Sequence, residues 1–368
     1  SDDIDLVYVV TDWVSHYPIA KRAMEKGKHV AVEVPAALSL DEIWDLINTS
    51  ERTRRHCMML ENCVYDFFEM NTLNMAQHGL FGELLHAEGS YIHNLEEFWP
   101  AYWRQWRSEY NKKHRGDVYP THGFGPACQL LDIHRGDRLV TVVAMDTDPV
   151  SGPEQYEAAT GKSAKGYRNG DHTMSFIRTA KGKTILIQHN VVNPRPYSRM
   201  YQVTGTKGFA NKYPVEGYAF RPDALPSGTV PDHENLNSHR FIPDSIRTAL
   251  EQQYTHPIIR EVGEVARKVG GHGGMDYIMD YRLVYCLRNG TGHSRLGLTV
   301  SAKLGHAVVR NRVRRRIREI FRLSQGKMKQ GYDCIVVART RAAHADYWEL
   351  KRAFEKTCKK LDLWETQA

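Results

Sequence analysis

Short apolar runs alternate with amphipathic stretches at the start of the chain. Asp5–Thr11 (DLVYVVT) is a continuous apolar run of the kind a buried parallel strand makes. Residues 16–27 follow with helical spacing and end at Gly27. Residues 28–35 (KHVAVEVP) predict a second buried strand, and 39–54 a second helix. Ser39 stands at its N-cap with Glu42 three residues on, the pattern of a capping box. Residues 56–62 (HCMMLEN) predict a third strand. Strand and helix at this pitch imply a doubly wound parallel sheet, whose ligands bind beyond the carboxyl ends of the strands. Thr11, Asp12, Trp13, His16, Glu33, Pro35, Glu61 and Asn62 fall there. No glycine-rich phosphate loop stands upstream of Asp5, so the chain is expected to begin about halfway through a nucleotide domain.

From about Gly82 the pattern changes. Residues 88–93, 172–177, 184–189 and 199–205 are strand-like, and 180–183 (AKGK) is a hairpin turn. With helices expected at 120–135 and 244–268, this predicts a mainly antiparallel open sheet. Residues 282–290 are expected to form a strand, either closing this sheet or standing before Arg295-Leu296-Gly297 in the piece that follows. Beyond them, 294–301 alternates as a strand and 303–306 turns. A helix is expected to run to about Leu323, its apolar stripe formed by Val313, Ile317, Ile320 and Phe321. Residues 332–339 predict a buried strand, and 346–361 an amphipathic helix with Leu350, Phe354, Thr357 or Cys358, and Leu361 at helical spacing.

Charge divides the chain more sharply than hydropathy does. After Gly290 fall 18 of the 50 Lys and Arg but only 7 of the 43 Asp and Glu, a local net of +11. The first 290 residues carry a net of −4, so the overall +7 averages two opposite pieces. The run Arg310-Asn311-Arg312-Val313-Arg314-Arg315-Arg316 suits a polyphosphate, and the preceding body does not. The expected fold class is α/β: a partial doubly wound Rossmann-type domain (1–75), an α+β open-sheet domain (76–290) and a small α/β RNA-binding fragment (291–368). No apolar run reaches membrane-spanning length, and the acidic start is no signal peptide. Six cysteines at 57, 63, 128, 286, 334 and 358 show no CxxC spacing and read as reduced thiols, with no metal expected. A cytoplasmic location is expected for the chain as it stands.

Residues 28–35, 59–62 (MLEN), 119–123 (YPTHG), 194–199 (PRPYSR) and 274–283 (GMDYIMDYRL) resemble glycoside hydrolase family 109. Those are NAD-dependent glycosidases within the Gfo/Idh/MocA oxidoreductase fold, and the resemblance covers about residues 2–290. It implies that NAD takes hydride from sugar carbon 3, so that the ketone acidifies the carbon-2 proton. Elimination at carbon 1, addition of water and return of hydride follow. It also implies a terminal N-acetylgalactosaminide substrate and an exported ancestry for this part. On that resemblance His122 acts on the carbon-3 hydroxyl, and Tyr119 and Tyr197 hold substrate or take a proton. Glu61 holds a ribose or sugar hydroxyl, and Tyr91 and Arg107 contact sugar. Thr11, Trp13, His16, Glu33 and Asn62 join Glu61 around the cofactor. Trp99, Trp103 and Trp106 suit either a core or a sugar platform. The wider superfamily commonly has Lys between the Glu and the Pro; Val34 stands there and cannot do acid–base work.

Leu296–Arg318, with its Arg-Asn-Arg signature, then 331–339 and the last helix, is similar to the protein subunit of bacterial ribonuclease P. That family does not cut RNA itself. It binds the catalytic RNase P RNA and helps hold the precursor-tRNA leader. The resemblance gives the RNA contacts to Arg310, Arg312, Arg315 and Arg316, with Asn311 fixing the loop. Both resemblances meet at 282–290 without a Pro/Gly/Ser-rich linker, so a fusion through this shared stretch is expected.

Overall fold

Three apolar runs make the first sheet, in the order β1 (Leu6–Val9), β2 (His29–Val32), β3 (Cys57–Met59), all parallel. The computed structural model describes residues 3–102, 106–229, 236, 239–289, 295–300, 304–329 and 333–364. The chain divides into two compact units, Ser1–Met279 and Asp280–Ala368.

In the first unit, α1 (Trp13–Glu25) starts three residues earlier than its periodicity suggests. Asp12 caps it, accepting from Ser15 N at 2.8 Å and Ser15 Oγ at 2.6 Å. α2 (Leu40–Thr53) starts at Ser39, whose Oγ accepts from Glu42 N at 3.2 Å. The return bond differs from the expected capping box: Glu42 Oε2 accepts from Leu38 N, not from Ser39 N. Val9, Ala20, Met24, Val30, Val32 and Leu46 form the core under these helices. α3 (Phe67–Gln77) leads into the second sheet.

That sheet has seven strands: β4 (Leu84–Ile92), β5 (Leu139–Asp146), β6 (Thr173–Thr179), β7 (Thr184–Asn190), β8 (Tyr201–Gly205), β9 (Gly208–Asn211) and β10 (Gly217–Phe220). Their order is β10-β9-β8-β4-β7-β6-β5, antiparallel except for the central β4–β7 pair. Between β4 and β5 lie α4 (Trp99–Tyr102), α5 (Trp106–Lys113) and α6 (Thr121–Leu130); α7 (Ser151–Thr160) precedes β6. α6 ends earlier than expected, and Asp132 then takes a left-handed turn at φ 58°. It covers one face of the sheet through Ala127, Leu131, Ile177, Ile185 and Ile187. The helix expected over 244–268 is two, α8 (Asp244–Gln253) and α9 (Pro257–Val269). Pro257 forces the break, with the His256 ring accepting from Ile258 N at 3.3 Å as the new cap.

The strand expected over 282–290 is instead part of a helix, α10 (Met275–Asn289). Buried Met275, Ile278, Met279 and Leu283 recur at helical spacing, which the local apolar run concealed.

In the second unit, β11 (Arg295–Val300) pairs in parallel with β12 (Asp333–Ala338). α11 (Ala307–Ser324) buries Val313, Ile317, Ile320 and Phe321 as expected. Arg310, Asn311 and Arg312 lie within this helix rather than in a loop before it, because the apolar period extends back to Val309. α12 (Tyr347–Lys360) opens on a closed capping box between Asp346 and Glu349. Phe354 and Cys358 point inward, but Leu361 lies past the helix end and is 62% exposed. Among the described residues no helix is long and apolar enough to cross a membrane.

Candidate active site

Glu61 leaves the end of β3 and caps the single turn Asn62–Tyr65, its Oε1 accepting from Cys63 N at 3.0 Å. The same oxygen accepts from His122 Nδ1 at 2.8 Å. That bond places the proton of a neutral imidazole on Nδ1 and leaves Nε2 a lone pair. Both side chains are nearly buried, and Glu61 Oε2 is buried without a hydrogen-bond partner. Such an oxygen needs a hydroxyl or N–H to offset its lost water.

Three glycines allow the approach. A Cβ on Gly123 would lie 2.5 Å from Ser90 N and 2.7 Å from Gly89 C, so α6 rests directly on the backbone of β4. A Cβ on Gly125 would lie 2.7 Å from Glu61 Cγ. Ala side chains at these positions would hold His122 away from Glu61.

Aromatic rings surround the pair. Tyr91, on β4, lies 5.5 Å from the His122 ring and 5.0 Å from Tyr119; Tyr119 meets His122 edge-on at 5.0 Å. Tyr119 stacks on Trp13 at 5.3 Å, and Trp13 contacts Trp106 at 4.3 Å. The Arg107 guanidinium lies 5.1 Å from the Trp13 ring and 5.4 Å from those of Trp106 and Tyr119. Val34 and Trp99 are buried in the same cluster, so Trp99 is core; Trp103 lies outside the described residues.

Tyr197 meets the His93 ring edge-on at 5.0 Å, and His93 Nδ1 lies 3.1 Å from Tyr91 Oη. Arg199 donates its Nε–H to Tyr197 Oη and reaches Cys63 Sγ with Nη1 at 3.3 Å. Cys63, Arg199 and Tyr197 thus form a line from the Glu61 turn outward. Burial raises the Tyr119 phenol far above its ordinary value, so it acts as a hydrogen-bond donor. Burial also raises Tyr197, but Arg199 opposes that shift and Tyr197 is 39% exposed. Of the two phenols Tyr197 is the easier to deprotonate. Burial lowers His93, with the Arg199 and Arg107 charges adding to the effect, so His93 stays neutral near pH 7.

The other strand-end residues separate. Both ring nitrogens of His16 are engaged by carbonyls, Pro35 O at 2.7 Å and Thr11 O at 3.0 Å, which staples two loops together. Trp13 is buried, and Asn62 donates to Asp276 Oδ1 at 2.7 Å. Thr11 is exposed and Glu33 half-buried at the ends of β1 and β2. Arg199, His93 and Cys63 had no role in the sequence reading. The spacing of two in Tyr91/His93 at the end of β4 was the available signal for His93, since alternate residues of an extended segment share a face. Arg199 lies ahead of β8 and carried no such pattern.

A family model described as Glycosyl hydrolase 109, C-terminal domain, matches residues 65–295, and one described as Oxidoreductase family, NAD-binding Rossmann fold, matches residues 1–61. The chain belongs to the glycosyl hydrolase 109 family. It is 68% identical to Glycosyl hydrolase family 109 protein 1 of Phocaeicola vulgatus over 289 residues, 78% of this chain and 61% of that protein. It is 65% identical to a Glycosyl hydrolase family 109 protein of Porphyromonas gingivalis, over 78% of this chain and 62% of that protein. The chain thus spans about three fifths of the length of these relatives. An inositol dehydrogenase homolog from Azotobacter vinelandii, complexed with NADH and myo-inositol, matches with TM-score 0.46 at 17% identity, covering 78% of this chain and 76% of that one. A further family model, Ribonuclease P, matches residues 274–362.

The cofactor expected from the sequence, NAD, agrees with the Rossmann match. The residues fit it: Thr11, Glu33 and the unpartnered Glu61 Oε2 gather at the carboxyl ends of adjacent parallel strands.

In the second unit the arginines serve two purposes. Arg310 Nη1 donates to Gly305 O at 2.6 Å, and Arg316 Nη1 to Ala345 O at 2.8 Å, tying α11 to its neighbours. Arg312 and Arg315 are exposed on α11, as is Arg318; the Asn311 side chain lies outside the described residues.

Proposed function

We propose that the first unit carries the site of an NAD-dependent glycosidase acting on a terminal N-acetylgalactosaminide. The observation that carries this reading is the buried Glu61–His122 pair with its orphaned carboxylate oxygen, ringed by Tyr91, Tyr119 and Tyr197. Bound NAD supplies a hydride acceptor for sugar carbon 3 and gives the hydride back at the end. His122 Nε2 takes the proton of the carbon-3 hydroxyl, and Glu61 stabilises the imidazolium this makes. Tyr197 removes the acidified carbon-2 proton as the phenolate that the Arg199 guanidinium stabilises, becoming the neutral phenol. Tyr119 donates a hydrogen bond to sugar, and the Trp13–Trp106–Arg107 stack closes one side against water. Thr11, Glu33 and Glu61 hold the cofactor's ribose and nicotinamide, while Trp13, His16 and Asn62 keep the strand-end loops in place.

The test uses the full-length gene product with NAD, an aryl N-acetylgalactosaminide and deuterated water. Turnover with deuterium entering carbon 2 is expected, and His122→Ala lowers it by about 10²–10⁴-fold. Wild-type turnover in both His122→Ala and Tyr197→Phe overturns the reading.

A second reading concerns the other unit. Its +11 charge and the exposed Arg312, Arg315 and Arg318 favour RNA, in the manner of a ribonuclease P protein with RNase P RNA and precursor tRNA as partners. On this reading the chain is a fusion of two unrelated chemistries, and the RNA-facing part works in the cytoplasm. Salt-dependent binding of RNase P RNA is the expected result. Affinity unchanged when Arg312 and Arg315 become Ala overturns it.

A further inference from the structure

We propose that Trp348, with Lys351 and Arg352 beside it on α12, stacks an unpaired base of single-stranded RNA whose phosphates run onto Arg312 and Arg316 of α11. This rests on the RNA reading of the second unit and adds a base-binding position to it.

Trp348 lies off the inward stripe of α12, which is Leu350, Phe354 and Cys358, and is 60% exposed. Most of its surface is left in water, where it is open to a stacking partner. It is also rigidly presented. The Asp346–Glu349 capping box fixes the first turn of the helix that carries it, and the Tyr347 ring stands edge-on at 5.2 Å. The Lys351 ammonium lies 5.3 Å from the indole centre.

Arg316 joins this indole to the arginine helix. Its hydrogen bond to Ala345 O sets the guanidinium three residues before Trp348, and three residues span at most about 10 Å. Arg312 lies one helical turn earlier on the same side of α11. The acidic groups near Trp348 are engaged: Asp346 and Glu349 close the capping box, and Glu355 lies 3.9 Å from Lys351. Lys351, Arg352, Lys356, Lys359 and Lys360 outnumber Glu349 and Glu355 along α12. An exposed aromatic ring beside a basic track is the arrangement that holds single strands, since every base has a face to stack. Duplex RNA offers phosphates but no free base face, so the surface favours single strands.

The test is fluorescence anisotropy on the full chain, with a short labelled single-stranded RNA and a duplex of the same sequence. Trp348→Ala is expected to weaken single-strand binding about tenfold. It leaves duplex binding and the salt slope unchanged, and Trp348→Phe recovers most of the loss. Arg312→Ala with Arg315→Ala weakens both ligands. If Trp348→Ala binds the single strand as wild type does while the arginine variants fail, the stacking position is wrong and the RNA reading stands. If wild type binds neither RNA, the RNA reading fails and the exposed indole belongs to a different partner, such as a protein. Circular dichroism confirms that each variant is folded.

Discussion

Gly123→Ala sets two physical effects against each other. In the first turn of a helix, Ala in place of Gly gains at most about 1 kcal/mol of propensity. At Gly123 the added Cβ would sit 2.5 Å from Ser90 N and 2.7 Å from Gly89 C, against the ~3.5 Å of an ordinary contact. Both obstacles are backbone in the central strand of the sheet, so α6 must lift by on the order of 1 Å. Overpacking costs about 1–3 kcal/mol, and rigid neighbours put this site at the upper end. The expected net loss is about 2 kcal/mol. For a unit that ends at Met279, with an unfolding entropy of about 2.1 cal/mol/K per residue, that lowers Tm by about 3 °C. Differential scanning calorimetry reads it, with Gly263→Ala on α9 as control. There the new Cβ would meet only side chains, Ile259 Cγ2 at 3.0 Å and Phe67 Cε1 at 3.2 Å, which need give by only a few tenths of an ångström, so a clearly smaller loss than at Gly123 is expected. A Gly123→Ala protein that melts at or above wild type, or a control that falls as far, refutes the reasoning.

Two further outcomes are expected. Burial pushes the Glu69 carboxyl up to about 7, although Lys212 Nζ lies 2.8 Å away, and the nearby Asp66 charge acts in the same direction as burial. Between its ordinary value of 4.5 and about 7 the folded state holds more protons than the unfolded one, so stability falls as pH rises through that window. Glu69→Gln should flatten that part of a Tm-versus-pH curve, and an unchanged slope would assign it to other groups. Arg312→Ala and Arg315→Ala should each reduce the magnitude of the slope of log affinity for single-stranded RNA against log salt by about 0.7; a filter-binding salt titration measures it, and an unaltered slope would mean that neither touches phosphate.

The first sheet was legible because each strand shows as an unbroken apolar run, although only β2 is buried along most of its length, and because Ser39 marks a helix start with cap chemistry; the cap at Asp12 went unread. β5 was not. Val140, Val142, Val143 and Met145 are all at least 45% exposed on an edge strand, so no alternation of burial marks it. α10 was misread because Leu283-Val284-Tyr285-Cys286-Leu287 are contiguous and apolar like a strand, although only Leu283 among them is buried and Val284 and Tyr285 are at least 40% exposed. In the candidate site, His122 and Glu61 were each found, one through its motif and one through its strand end. Their pairing was not, since it spans 61 residues and depends on Gly89 and Gly123 letting backbones touch and on Gly125 leaving room for the Glu61 side chain. Arg199 was quoted inside a motif but given no task. Only three dimensions show its side chain running between a phenol and a thiol from distant segments.

The position of β4 also bears on how the molecule is born. Its two flanking strands are β7 and β8, and His86 bonds to Thr184, 98 residues further along. During synthesis β4 therefore leaves the ribosome as a lone apolar ribbon and waits for partners not yet translated. Tyr91 rides on it, so the pocket around His122 closes among the last events of folding. A ribosome stalled before Asn190 would release a chain whose first sheet is paired and whose β4 is still without a neighbour, a ready substrate for chaperones and proteases.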